Sequence, residues 1–417
     1  MNGKCDNSRY FILLVLLFNI GPIQAVDFTY SGYIKSYALI QDEIEFENSP
    51  AVIPDEFDNG YQSQNAVRLM GNWFTENSGN VEVHYEIQPV YYSNTSLVGS
   101  AGGIGSTLST GATIYRYKDL DVELDQYGNH MVVFQNLDRL NYQYSNETGD
   151  FTLGRQVVSF GSSRFINPTD IFIPFNIQTL NQEYRVGIDA IRYQAALGDF
   201  AVLDTGLIIG EDAKKENSAF FIRGKNSLKG NDVELIVIAL DDAWLLGGGL
   251  ERAIGDFGFW FETAYMDVTN DVVENYWRTS IGSDYALTKS IITSVEYHYN
   301  GAGSDNPDDY LQLVTQFPYQ KAGVFLLGEN YLIPAVSWIA NPLVTVNASG
   351  FINIDDHSAF INVVSEVSWT ENLYSDFGMY VSYGDVLESQ ISPQQINLGS
   401  EFGSYPLSIY ASLRYYF

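Results

Sequence analysis

From Val81 to Tyr91 apolar and polar residues take turns. Val81, Val83, Tyr85, Ile87 and Tyr91 fall on one face, and Glu82, His84, Glu86 and Gln88 on the other. The same period returns where Leu140, Tyr142 and Tyr144 oppose Arg139, Asn141 and Gln143. Trp277, Thr279, Ile281 and Tyr285 oppose Tyr276, Arg278, Ser280 and Asp284 in the same way. Ile291, Val295, Tyr297 and Tyr299 stand against Ser294, Glu296, His298 and Asn300, and Ile361, Val363, Val367 and Trp369 against Asn362, Val364, Glu366 and Ser368. A period of two is a β-strand whose faces meet different surroundings. The chain also ends on such a strand: Ile409, Ala411, Leu413, Tyr415 and Phe417 share a face backed by Ser408, Tyr410, Ser412, Arg414 and Tyr416. A soluble sandwich alternates too. Tyr and Trp recurring at strand ends instead predict the aromatic girdles of a membrane barrel.

The connections sort by length. Residues 76–80, 146–150, 198–199, 229–231, 255–256 and 341–342 read as tight turns rich in Gly, Asn and Asp. Between them lie longer stretches at 41–60, 93–129, 161–182, 301–309 and 385–395. Short turns at one end and long loops at the other predict an all-β, transmembrane, antiparallel up-and-down β-barrel of about 18 strands, an even number between roughly 16 and 20. Val324–Gly328 is the weakest strand candidate. No second domain and no internal repeat beyond the hairpin rhythm is visible, so 26–417 reads as a single barrel.

Met1 to Ala25 has the layout of a cleavable secretory signal: Lys4 and Arg9, an apolar core from Tyr10 to Ile20, then Gly21-Pro22 and a small residue at Ala25. That core is shorter than the ~20 residues of a permanent membrane helix, and no later run reaches about 18. Cys5, the one cysteine, precedes the core, so neither disulfides nor thiolate metal sites serve the mature fold. The net charge is −30, which argues against nucleic acid as a partner. With 30 Tyr, 25 Phe and 6 Trp the chain is nonetheless ordered rather than an acidic coil. Asp42, Glu43, Glu45, Glu47, Asp55, Glu56 and Asp58 crowd one loop, but without the Asp-x-Asp-x-Asn-Gly order of a calcium site. No metal or cofactor is expected.

In a barrel, inward faces and folded-in loops meet solute. The alternation makes Arg68, Glu82, His84, Glu86, Arg139, Asn141, Arg192, Arg278, Glu296 and His298 pore-lining candidates, since lipid-facing charge is costly. Asn167-Pro168 and Asp170 favour a fixed turn, and Ile171, Phe172, Ile173 and Phe175 give it something to bury. Loop 161–182 is thus a candidate to fold into the lumen, with Arg155, Arg164, Asp170, Arg185 and Arg192 near the constriction. The expected function is an outer-membrane channel for small hydrophilic or charged solutes, not an enzyme. His84, His130, His298 and His357 stand in no recognisable catalytic motif. A barrel hydrolase, or a structural or export component of the envelope, remains the alternative.

Two stretches carry a resemblance. The last strand, Leu407–Phe417, resembles the assembly signal of bacterial outer-membrane barrels, which implies the barrel-assembly machinery as a partner, beside the lipid bilayer, lipopolysaccharide and a small solute. Gly154-Arg155-Gln156 with Asn167-Pro168-Thr169-Asp170 resembles a group of porin-like outer-membrane channels, and residues 353–358 and 400–403 extend the likeness. Phe160 stands where that group typically has Trp. The resemblance implies a channel in the bacterial outer membrane and names no solute.

Overall fold

The computed structural model describes residues 25–44, 47, 59–76, 78–93, 113–120, 123–127, 130–173, 177, 179–180, 183–269, 273–389 and 396–417. The signal segment, most of the acidic 41–60 loop, Phe175 and Gln182 lie outside them. The strands, in chain order, are β1 Ala25–Gln41, β2 Gly60–Thr75, β3 Gly79–Tyr92, β4 Met131–Asn146, β5 Gly149–Gln156, β6 Ile188–Leu197, β7 Ala201–Ile208, β8 Ala219–Leu228 and β9 Asn231–Ala239. They continue as β10 Ala243–Ile254, β11 Phe257–Val268, β12 Tyr276–Ala286, β13 Ile291–Asn300, β14 Asn330–Asn341, β15 Val344–Asn353, β16 Ala359–Ser368, β17 Leu373–Tyr383 and β18 Ser408–Tyr416. Each pairs antiparallel with its sequence neighbours, and β18 pairs with β1 from Tyr33↔Tyr416 to Gln41↔Ser408. The result is a closed eighteen-stranded barrel. Closure pairs each of these eighteen strands on both sides, as a hydrocarbon surround requires, and a further short strand, Glu123–Tyr127, pairs with the start of β4 beyond the end of β5.

The faces divide as the pattern predicts. Ile34, Leu69, Leu140, Leu235, Ile281 and Leu413 lie exposed on the outer surface. Aromatics border this belt at both ends. Phe28 stacks on Trp73, Phe257 on Tyr285 and Tyr415 on Phe417 by the short turns, while Trp244, Tyr265 and Trp277 cluster at the opposite end, by the connections 240–242 and 269–275. Phe417 exchanges both backbone hydrogen bonds with Gly32. A Cβ at Gly32 would lie 2.6 Å from the Phe417 ring, so only glycine lets the terminal ring seat there.

The tight turns fall where expected, with two more at 287–290 and 369–372. One strand candidate is overturned. Val324–Gly328 is irregular and belongs to a connection from 301 to 329 that also contains the short helices Tyr310–Leu313 and Phe317–Lys321. Its apolar residues Val324, Leu326 and Leu327 are buried against neighbouring segments, so the run is apolar for packing and not for lipid. The 385–395 loop likewise extends from 384 to 407 and contains a small hairpin of Leu387–Ser389 with Ile396–Leu398.

The barrel is filled along much of its inner wall. Ile188, Ala190, Phe221, Ile236, Ile238 and Leu245 of β6–β10 pack against Val158, Phe160, Ile171 and Phe172 from the connection after β5. Tyr331, Ile333, Phe351 and Phe360 of β14–β16 pack against Ile166, Leu326 and Phe402.

Candidate functional site

The 157–187 connection leaves β5 halfway along the wall and reaches strands β11 to β13, six to eight strands away. Gly161, at φ +110°, turns it with its α-carbon against Asn167, where no side chain would fit. Ser162 and Ser163 then donate their N–H groups to one oxygen of Glu262, at 2.8 and 2.9 Å. Thr169 donates N–H and hydroxyl to the other, at 2.9 and 2.7 Å. Glu296 accepts the N–H groups of Arg164, Phe165 and Ile166 at 2.9–3.3 Å and the indole N–H of Trp260 at 2.7 Å. Neither glutamate has a basic partner within 4 Å among the described residues.

On its return the segment ties to the opposite wall. Glu183 pairs with Lys35 of β1 and accepts from the Tyr416 hydroxyl of β18 at 2.6 Å. Burial raises the Glu183 pKa, but these hydrogen bonds and charges more than offset it, leaving the carboxyl below its ordinary range. Tyr184 stacks on Tyr33 and lies under Arg68, whose guanidinium carbon is 4.4 Å from the ring centre. Asp170 pairs with Arg185, yet complete burial dominates and pushes the aspartate up to about 7.

The strand candidates lie on the inner face and almost all are paired. Asp138 of β4 is the hub on one side: it accepts from Arg68, lies 2.7 Å from an Arg139 nitrogen and 3.5 Å from Arg116, and takes the Gly187 N–H at 2.7 Å. His84 sits between Glu82 and Arg68, both at 3.2 Å, and Glu86 accepts from the Tyr33 hydroxyl. Asn141 bonds Glu82 at 2.9 Å. Arg192 grips Asp204 with two hydrogen bonds, at 2.8 and 2.7 Å, and Arg223 reaches the same carboxylate at 2.6 Å. Lys225 continues the row to Glu234 at 2.7 Å. Arg278 is buried beneath Pro168, its Nε without a partner.

Arg155 is not part of this constriction. It is in register with the exposed Phe151 and Leu153, and its guanidinium lies under the 113–120 segment. There it holds Asp189 at 2.8 and 2.9 Å and the carbonyls of Leu137 and Lys118 at 3.0 and 2.8 Å. Arg164 is the opposite case: its side chain is 51% exposed, 3.1 Å from Glu251 and 5.4 Å from the Trp260 ring centre. Beside Phe165, the wall residues Ser294, Ser337, Asn347, Ser349 and Asn362 border a cavity of about 260 Å³.

His298 has a partner that the sequence did not reveal, Ser280, at 2.8 Å. The serine hydroxyl donates to the Ile166 carbonyl at 2.7 Å, so the imidazole N–H must be the donor in the pair. A histidine that donates to serine does not activate it as a nucleophile. Lys35, Asp138, Asp204, Arg223, Glu234, Glu262 and Arg414 also lie on this inner wall, beyond the residues singled out as pore-lining candidates. Most were open to the same alternation: Glu262 lies between Phe261 and Thr263, and Arg223 between Ile222 and Gly224.

No family model and no curated relative matches the chain. Its similarity is to solved structures. OccAB4 of Acinetobacter baumannii superposes with a TM-score of 0.55 over 95% of this chain and 100% of that one, at 10% identity. OccK7 (OpdD) of Pseudomonas aeruginosa gives 0.53 over 94% and 99%, and OccK11 (OpdR) of the same organism 0.53 over 94% and 96%, both at 10% identity. The chain therefore has the barrel architecture of bacterial outer-membrane porins.

Proposed function

We propose that this protein is a channel of the bacterial outer membrane through which small hydrophilic or charged solutes diffuse. The observation that carries the reading is the 157–187 segment, bonded to inward residues of β1, β4 and β11–β13. A barrel that carries its own internal constriction is suited to passage limited by size and charge. The lipid belt and its two aromatic girdles set the protein in the bilayer, with the short turns on the periplasmic side and the long loops outward toward lipopolysaccharide. The terminal strand, with Phe417 seated on Gly32, is the segment that the assembly machinery would engage.

Around the constriction each well-buried arginine is held by a carboxylate or a carbonyl, so selectivity rests on the few exposed charges, Arg164 and Lys225 among the cations and Glu251, Glu183 and Glu366 among the anions. Exposed charges act on ions in the lumen, whereas a paired buried charge is largely cancelled. Purified protein inserted into planar bilayers should give discrete conductance steps. Protein that migrates as a closed barrel on a gel yet passes no ions refutes the proposal.

A further inference from the structure

Glu262 and Glu296 are fully buried carboxylates, each 0% exposed, on the inner face of the wall. A buried ion with no counter-charge is among the most costly features a fold carries, unless N–H groups converge on it. Here they do. Six loop N–H groups and one loop hydroxyl point at the two carboxylates, with Trp260 completing the set. Consecutive N–H groups around an anion form a nest. The usual arrangement is inverted, because the anion belongs to the wall and the nest to the loop.

The wall is also shaped for the loop. A Cβ at Gly247 would come within 2.5 Å of the Thr169 methyl group, and one at Gly249 would collide with the Ser162 hydroxyl. Trp260 lies flat over Gly282, which leaves its indole N–H aimed at Glu296. Ser280 adds a hydrogen bond to the Ile166 carbonyl. These contacts come from four adjacent strands and all converge on residues 162–169.

We propose that Glu262 and Glu296 are positioning residues that latch the 161–170 loop across the lumen and so set the size limit of the pore. This rests on the channel reading for its consequence, but not for its geometry. Solutes do not need to touch either carboxylate. Their work is to keep six residues of backbone in one conformation.

The test uses full-length protein folded in phospholipid vesicles, native and as the double variant Glu262→Gln, Glu296→Gln, which keeps side-chain volume and removes both charges. Hydrogen exchange at residues 162–169 should become about tenfold faster or more, since bonds to ionised acceptors are the strong ones. Ladder amides of β11 and β13 should keep their protection. In the same vesicles a trisaccharide excluded by the native protein should now enter. Gly249→Val, which pushes on the loop with both carboxylates intact, should produce the same two changes. Unchanged exchange in a folded double variant overturns the latch, and if that variant does not fold, unchanged exchange in Gly249→Val does. Faster exchange in a protein that passes neither ions nor sugars would instead retain the latch and refute the channel.

Discussion

Replacing Asp138 by Asn should be the most damaging single isosteric change on the inner wall. Asp138 is 1% exposed and faces three arginines, Arg68, Arg139 and Arg116, together with the Gly187 N–H. The carboxamide fills the same space and can still accept from Gly187. It no longer balances the guanidinium groups, and its own N–H group competes with theirs. Removing one partner of a buried ion pair costs about 3–5 kcal/mol, because the charge left behind stays desolvated. Arg139 retains the Arg185 carbonyl and Arg116 retains Asp119, so the loss should fall within that range rather than multiply by three.

The assay is reversible guanidinium unfolding from phospholipid vesicles, followed by tryptophan emission, with Asp212→Asn on the exposed Lys214 pair as a control that should not shift the curve. Adding Arg68→Met to Asp138→Asn should restore part of the loss, because contacting residues do not behave additively. Conductance supplies a second readout: uncovering cations near the lumen should move the zero-current potential toward anions. A loss below about 1 kcal/mol would refute the view that Asp138 balances this cluster, since exposed pairs contribute no more than that.

Other outcomes separate the charges that act on solute from those that hold the wall. Arg164→Gln should shift the zero-current potential toward cations, whereas Arg155→Gln should leave it unchanged while lowering the unfolding midpoint; equal shifts would contradict the placement of Arg155 outside the constriction. Burial pushes Glu401 up to about 7, against hydrogen bonds from Tyr331, Leu327 and Asn353. An acid whose pKa is raised in the packed state favours packing as pH falls through about 7 toward its ordinary value, and that gain is absent at higher pH. Conductance should therefore be lower at about pH 5 than at about pH 8, and Glu401→Gln should lack its share of this dependence; an identical pH profile in the variant would count against it. Deleting Phe417, or replacing Gly32 by Val so that the ring cannot seat, should lower the amount of assembled barrel in the membrane with unit conductance unaffected. Normal accumulation of both variants would remove the terminal ring from assembly.

Most of the wall was legible because the barrel converts sequence alternation directly into inside and outside. The failures have local causes. Asp138 and Arg139 are adjacent yet both buried, because the β3–β4 register shifts between His84 and Tyr85 just opposite them. One extra residue reverses the alternation, so a rule that sends Arg139 inward sends Asp138 to lipid. Arg155 failed for a different reason. Its neighbours Phe151 and Leu153 already placed it on the outer face, but the Gly-Arg-Gln motif drew attention to the lumen. The Ser280–His298 pair was invisible because strand register, not sequence spacing, brings the two residues side by side.

The folded-in loop did leave a trace that alternation alone overlooks. Between Val233 and Ala239 the chain reads Val-Glu-Leu-Ile-Val-Ile-Ala, and Phe220-Phe221-Ile222 is apolar on both faces. A strand that faces lipid on one side and water on the other should not look like this. Ile236, Ile238 and Phe221 are indeed buried inside, against Phe160, Ile171 and Phe172. Runs apolar on both faces therefore mark where a membrane barrel is lined by protein instead of solvent. Glu234 and Glu262 are polar breaks on the inner faces of such strands, and the two do different work. Glu234 neutralises Arg223 and Lys225, whereas Glu262 has, among the described residues, loop N–H groups and a loop hydroxyl as its donors. An inward acid on a strand of this kind, without a cation opposite it, is accordingly a marker for the docking point of a loop. Glu262 satisfies that condition, and the same loop bends on to meet Glu296 on the more polar inner face of β13.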